Sequence, residues 1–303
     1  MLGQSRRRPG DEVLIELRDG QGDLVTVERG HYRDAMLLPS IDSARKEGDV
    51  DRLAALLDTA LRDDFAADVL DASYFLTTID PLAERSHCTY AKALNLAGYP
   101  EQATVVLDAY DSTHPPSSFV AGLRASIAEA SGDVPGALRW ATVMIQRDPN
   151  HPGGHVVLWR HATKAGGEEH GRAMIRWAAD VGCAQAARQV AKWTLEAQGV
   201  EAALPMYERA AASSDPEVLS QVIADLAGLA KRPDLALQLA LPIFDPTKHG
   251  EPVALNLLRA LAKTRRADEG EALLARCQAA NAIPADHIAN FKQWFADIRA
   301  GQP

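Results

Sequence analysis

The chain has 303 residues, 47% hydrophobic and 24% charged, with a formal net charge of −9. That length suits one large domain, two ordinary ones, or a repeat array in which each unit buries a face on its neighbour. The acidic balance argues against a surface coated with nucleic acid or laid on an anionic membrane, so any basic surface has to be local.

At the start, Arg6, Arg7 and Arg8 are not followed by an apolar core, so Met1 to Asp11 does not read as a secretory signal. No run along the chain reaches the ~18 apolar residues that a membrane span requires. A cytoplasmic protein with no membrane partner is the expectation. Glu12 to Leu17 and Leu24 to Glu28 read as two short strands around the glycine-rich stretch Arg18 to Asp23, so residues 1–30 are a tail and a β-hairpin. Asp19, Gln21 and Asp23 have the alternation of a calcium loop, but no glutamate completes one, and a hairpin turn is the simpler reading.

Residues 31–83 read as a degenerate helical hairpin with an extra helix. A helical pattern from His31 is broken at Gly48-Asp49, and Leu53, Leu56, Leu57, Ala60 and Leu61 make the stripe of its partner. The extra helix, Ala66 to Thr78, carries Val69, Leu70, Tyr74 and Phe75 as a cover for the end of the helical array, and Asp80-Pro81 is expected to cap and start the next helix.

From residue 84 to 284 the chain repeats. Gly98, Ala103 and Pro115 return as Gly132, Ala137 and Pro149, each 34 residues on. Each landmark has a physical role: the glycine closes a first helix in left-handed backbone, the alanine lets two helix axes approach, and the proline ends the second helix. Later units keep the frame with looser landmarks: Gly166 and Gly171, Gly199 and Ala203, Ala236 with Asp245-Pro246, then Gly270 and Pro284. Residues 285–303 supply a last helix, with Ile288, Phe291, Trp294, Phe295 and Ile298 on one side as a C-terminal cap.

In Gly132-Asp133, Ala137 and Asp148-Pro149-Asn150 the chain resembles the tetratricopeptide repeat, with Gly98, Ala103 and Pro115 supplying the same frame one unit earlier. The first helices depart from that pattern: Ala91 and Ala125 stand where the family usually has glycine. The resemblance implies a mainly α fold, a right-handed α-solenoid of stacked helical hairpins whose first helices line a concave groove. It also implies a non-enzymatic scaffold that holds a protein or peptide segment. The ninth residue of each unit is then expected to face the groove: Lys92, Ser126, Arg160, Lys192, Asp225 and Arg259, with Asn95, Lys164 and Arg188 beside them. The candidate ligand groove is Lys92, Asn95, Arg160, Lys164, Arg188, Lys192 and Arg259, whose basic character favours an acidic segment. The family's clamp for acidic tails does not carry over, because Cys88 occupies one of its positions.

No phosphate-binding loop, nucleophile elbow, His-Glu-x-x-His or dinucleotide turn is present in the sequence, so neither catalysis nor a cofactor is expected. His151, His155, His161 and His170 fall within twenty residues and supply the alternative reading, a metal protein or enzyme with His155 as the first ligand to test; surface and capping histidines are the simpler account. Trp140, Trp159, Trp177 and Trp193 read as interhelical core, with an aromatic pocket as the alternative. An RNA-binding helical array is the other alternative, opposed by the acidic balance. Cys88, Cys183 and Cys277 are odd in number and lack metal spacing, which predicts buried thiols in a reducing compartment. Self-association is left open.

Overall fold

A computed structural model describes residues 14–18, 24–114, 117–213 and 215–301. The chain is mainly helical, 80% of it, and divides into two compact units, Met1–Met144 and Ile145–Pro303.

In the first unit, β1 (Leu14–Arg18) pairs antiparallel with β2 (Leu24–Glu28), Leu14 opposite Glu28 and Arg18 opposite Leu24. The expected turn with Asp19, Gln21 and Asp23 lies outside the described residues, as does the tail. The chain then runs through α1 (Arg29–His31), a π-helical stretch Tyr32–Leu37 and α2 (Leu38–Glu47). Asp49 caps α3 (Val50–Arg62) by accepting from the Arg52 amide at 3.0 Å. Leu53, Leu57, Ala60 and Leu61 of α3 are buried with Leu37 and Ile41 in one core, where each leucine contributes ~1.5–3 kcal/mol by leaving water.

The extra helix is α4 (Leu70–Ile79), preceded by a 3-10 turn at Ala66–Asp68. Val69 is buried, Leu70 and Phe75 pack against the same core, and Tyr74, half exposed, packs on Tyr90 with ring centroids 5.4 Å apart. Asp80 ends α4 instead of opening its successor; α5 (Glu84–Leu96) begins after Ala83, without a side-chain cap. Next come α6 (Pro100–Asp111), α7 (Ser118–Ala130) and α8 (Val134–Arg147), which runs across the boundary between the units. Gly98 (φ 90°) and Gly132 (φ 76°) make the left-handed turns after α5 and α7 that the 34-residue frame requires. Ala103 and Ala137, early in α6 and α8, have no exposed surface. Pro115 lies outside the described residues.

In the second unit, α9 (Gly154–Asp180) bends at Gly166 and Gly167; the left-handed residue is Gly167 (φ 80°), one position beyond the expected Gly166. Its two halves approach closely at Gly171, where a Cβ would stand 2.4 Å from Thr163 Oγ1. A glycine therefore replaces the packing alanine for want of room. There follow α10 (Ala184–Gln198), α11 (Val200–Ala211), α12 (Pro216–Ala224) with a π-helical continuation Asp225–Leu229, α13 (Pro233–Ala240), α14 (Pro246–Lys263), α15 (Ala267–Ala279) and α16 (Ala285–Arg299).

Ala203 and Ala236 are fully buried, and at Gly270 a Cβ would meet the Phe295 ring at 2.3 Å. Phe291 and Phe295 of α16 are buried, while Trp294 stays largely exposed and stacks on Phe291. Within this unit α10 packs on α9, α11 and α12; α12 on α13 and α14; and α14 on α15 and α16. No helix among the described residues is long and apolar enough to cross a membrane.

Candidate functional site

Three helix starts meet in the second unit, those of α9, α10 and α12, and enclose with the loop 149–153 a cleft of ≈ 390 Å³. Short polar side chains hold the backbone here. Asp148 accepts from the Asn150 amide at 3.1 Å, and Asn150 Oδ1 accepts from the Ala184 amide at 3.1 Å, which satisfies an otherwise open donor at the start of α10. Asp215 does the same for α12, accepting from the Val218 amide at 2.9 Å.

Three of the polar lining residues, Arg188, Gln221 and Glu217, form a connected set. Arg188 Nε and Nη2 donate to the two oxygens of Asp225 at 2.8 and 3.1 Å, and its Nη1 donates to Gln221 Oε1 at 2.7 Å. Gln221 in turn donates to Glu217 Oε1 at 3.0 Å. One helix further on, Asn256 Nδ2 donates to the Ser220 carbonyl at 3.1 Å and its Oγ at 3.0 Å, and Arg259 donates to Asn256 Oδ1 at 3.4 Å. These bonds join residues 33 to 37 apart, so α10, α12 and α14 lie side by side at the period of the sequence repeat. The buried Tyr207 hydroxyl lies near Asp225 without meeting hydrogen-bond geometry, and burial followed by the Asp225 charge pushes its pKa up.

His155 stands in the cleft wall, its pKa lowered by burial; Glu217 opposes that shift and Arg188 adds to it, so the imidazole is neutral at pH 7. His155 and Val156 also belong to an adjoining pocket of ≈ 310 Å³ with Trp159, Trp193, Ile175, Gln189 and Glu168. The two indoles meet tilted at 46°, centroids 5.6 Å apart, and the Arg172 guanidinium lies 5.1 Å over Trp193 while bonded to Glu168.

The seven groove residues expected from the sequence divide between the units: Lys92 and Asn95 on α5, the other five in the second. Lys92 is half-buried, and Asn95 Oδ1 is buried with no bond partner among the described residues. Arg188 lines the cleft, but as the partner of Asp225. Asp225, one of the expected groove positions, is itself buried and turned toward α10 by its pair with Arg188; a π-helical stretch begins at that residue. Lys192 is half-buried one turn beyond Arg188; Arg160 and Lys164 are exposed one turn apart on α9, and Arg259 is exposed on α14. The cleft lining includes none of these four among the described residues.

The histidines do not share a site. His151 Nδ1 donates to the Pro152 carbonyl in the loop at 3.0 Å, His161 is buried in α9 rather than superficial, and His170 packs over Gly166. Among the described residues no three His, Cys, Asp or Glu side chains stand where they could hold one metal ion. All three cysteines are buried and free, and burial raises each thiol, Cys88 to about 12. The four central tryptophans are half-buried rather than enclosed. Gln185, Gln221 and Glu217 were missed by the sequence reading; Gln185 and Glu217 recur as polar residues at helix starts, and Gln221 lies one turn beyond Glu217. No family model and no curated protein matches this chain.

Proposed function

We propose that this chain is a tetratricopeptide-like α-solenoid and acts as a non-enzymatic scaffold, binding an extended peptide or protein segment in the cleft at the starts of α9, α10 and α12. The observation that carries this reading is the cleft wall. The loop before α9 and the starts of α9 and α10 present the side-chain amides of Asn150 and Gln185 and the imidazole of His155 to one open space, with Gln221 committed to Arg188 and Glu217. Amides both donate and accept, as a peptide backbone does, so such a wall complements an extended chain without requiring any chemistry of it. The thiol at the cleft, Cys183, is held protonated by burial, which disfavours a nucleophilic role. Two strands at the N-terminal end of the first unit offer an edge as a second contact.

The test is to pan a randomised dodecapeptide display library on the purified full chain and on Val156→Trp. Val156 is 56% exposed at the rim shared by both pockets, so the indole obstructs them without removing a buried contact. Convergent peptides that bind the parent and fail on Val156→Trp support the reading. Absence of convergence, or binding indifferent to the substitution, contradicts it.

A further inference from the structure

We propose that the segment received by this site is basic, with a lysine or arginine close to one large apolar side chain: the apolar group enters the pocket between Trp159 and Trp193, and the cation faces Glu217 and Asp215. This rests on the peptide-binding reading above and goes beyond it by assigning the chemistry of the occupant, opposite in sign to the acidic segment expected from the basic groove residues.

Two independent observations carry it. The first is the sign of the uncompensated charge. The adjoining pockets are lined by three carboxylates, Glu168, Asp215 and Glu217, and by one guanidinium, Arg188. Arg188 is neutralised by the bidentate bond to Asp225, and Glu168 is matched by Arg172. Asp215 and Glu217 have no lysine or arginine partner among the described residues; Asp215 accepts from the Val218 amide and Glu217 from Gln221. The side-chain charge left at the mouth is therefore negative; the positive ends of α10 and α12 that meet there are partly answered by Asn150 and Asp215, which accept from their first-turn amides, and burial keeps His155 from adding positive charge at neutral pH. An acidic segment would meet like charge here, whereas a cation would gain charge-assisted bonds.

The second is the shape and chemistry of the neighbouring pocket. Trp159, Trp193, Ile175 and the exposed Val156 give it apolar walls of a size that takes one aromatic or branched side chain. Because His155 and Val156 belong to both pockets, one extended segment fills both with residues adjacent or nearly adjacent in its sequence.

The composition of the peptides selected by the library on the full chain decides the matter. The expected pool pairs Trp, Phe, Leu or Ile with Lys or Arg within about two positions, an extended chain advancing ~3.3 Å per residue. A synthetic peptide from that pool, followed by fluorescence polarisation, should lose about tenfold in affinity on Glu217→Lys and about as much on Trp193→Ala, and should weaken as salt is raised. Glu217 is exposed, so Glu217→Lys keeps the test decisive even if Trp193→Ala fails to fold. A pool rich in Asp or Glu, a pool without a large apolar residue, or affinity unmoved by Glu217→Lys overturns the basic-apolar assignment while leaving peptide binding intact. Failure to select any peptide overturns both.

Discussion

The Arg188–Asp225 pair allows an asymmetric prediction. Asp225 sits with its side chain only 7% exposed, whereas Arg188, 20% exposed, lines the cleft and has water within reach. Arg188→Met strands a buried carboxylate and removes the bond to Gln221; breaking a buried pair in this way costs ~3–5 kcal/mol. Asp225→Asn leaves an acceptor for one guanidinium bond and a cation that can turn toward the cleft, so its cost is ~1–2 kcal/mol. In the double variant neither charge remains, and the two losses should fall short of additivity by ~1–3 kcal/mol. Urea unfolding followed by tryptophan fluorescence reads this out, since Trp159, Trp177, Trp193 and Trp294 all belong to the second unit. Equal losses, a reversed order or simple additivity would refute the argument that Arg188 is committed to the wall.

Other outcomes rest on packing and titration. Ala103→Leu and Ala137→Leu should each destabilise by ~1–3 kcal/mol through overpacking, and a neutral result in thermal or urea unfolding would mean that these fully buried positions can expand. Gly171→Ala and Gly270→Ala should cost a similar ~1–3 kcal/mol, because their Cβ atoms would stand 2.4 Å from Thr163 Oγ1 and 2.3 Å from the Phe295 ring; wild-type stability in either would refute the close approach. The depressed His155 pKa means that the unfolded chain binds this proton first as pH falls below about 6.5. Its contribution to stability is complete above that value and is lost as the pH drops toward the folded pKa. His155→Gln should therefore lose less stability than wild type between pH 7.5 and 5.5, and parallel curves would contradict the burial of the imidazole.

The backbone frame was legible in sequence wherever one residue type is dictated by geometry. Gly98 and Gly132 make left-handed turns at φ 90° and 76°, where a side chain is strained, and Ala103, Ala137, Ala203, Ala236 and the glycines 171 and 270 are small at buried or closely approached positions. The cleft was far less legible. Its members come from elements about one repeat apart, and whether Arg188 presents a free charge depends on Asp225, a residue 37 positions on in the next repeat, which helical phase alone does not identify as its partner. Period alone likewise could not show that Trp159 and Trp193 meet at a half-open pocket, since an indole on an amphipathic helix obeys the same spacing in a closed core.

Hydrogen exchange of the full chain with and without a library-selected peptide tests peptide docking in the cleft most directly. Slowed exchange should appear in the loop 149–153 and in the first turns of α9, α10 and α12, with α15 and α16 unchanged. Protection confined to other helices, with those three starts exchanging as in the free chain, would contradict the placement of the binding site.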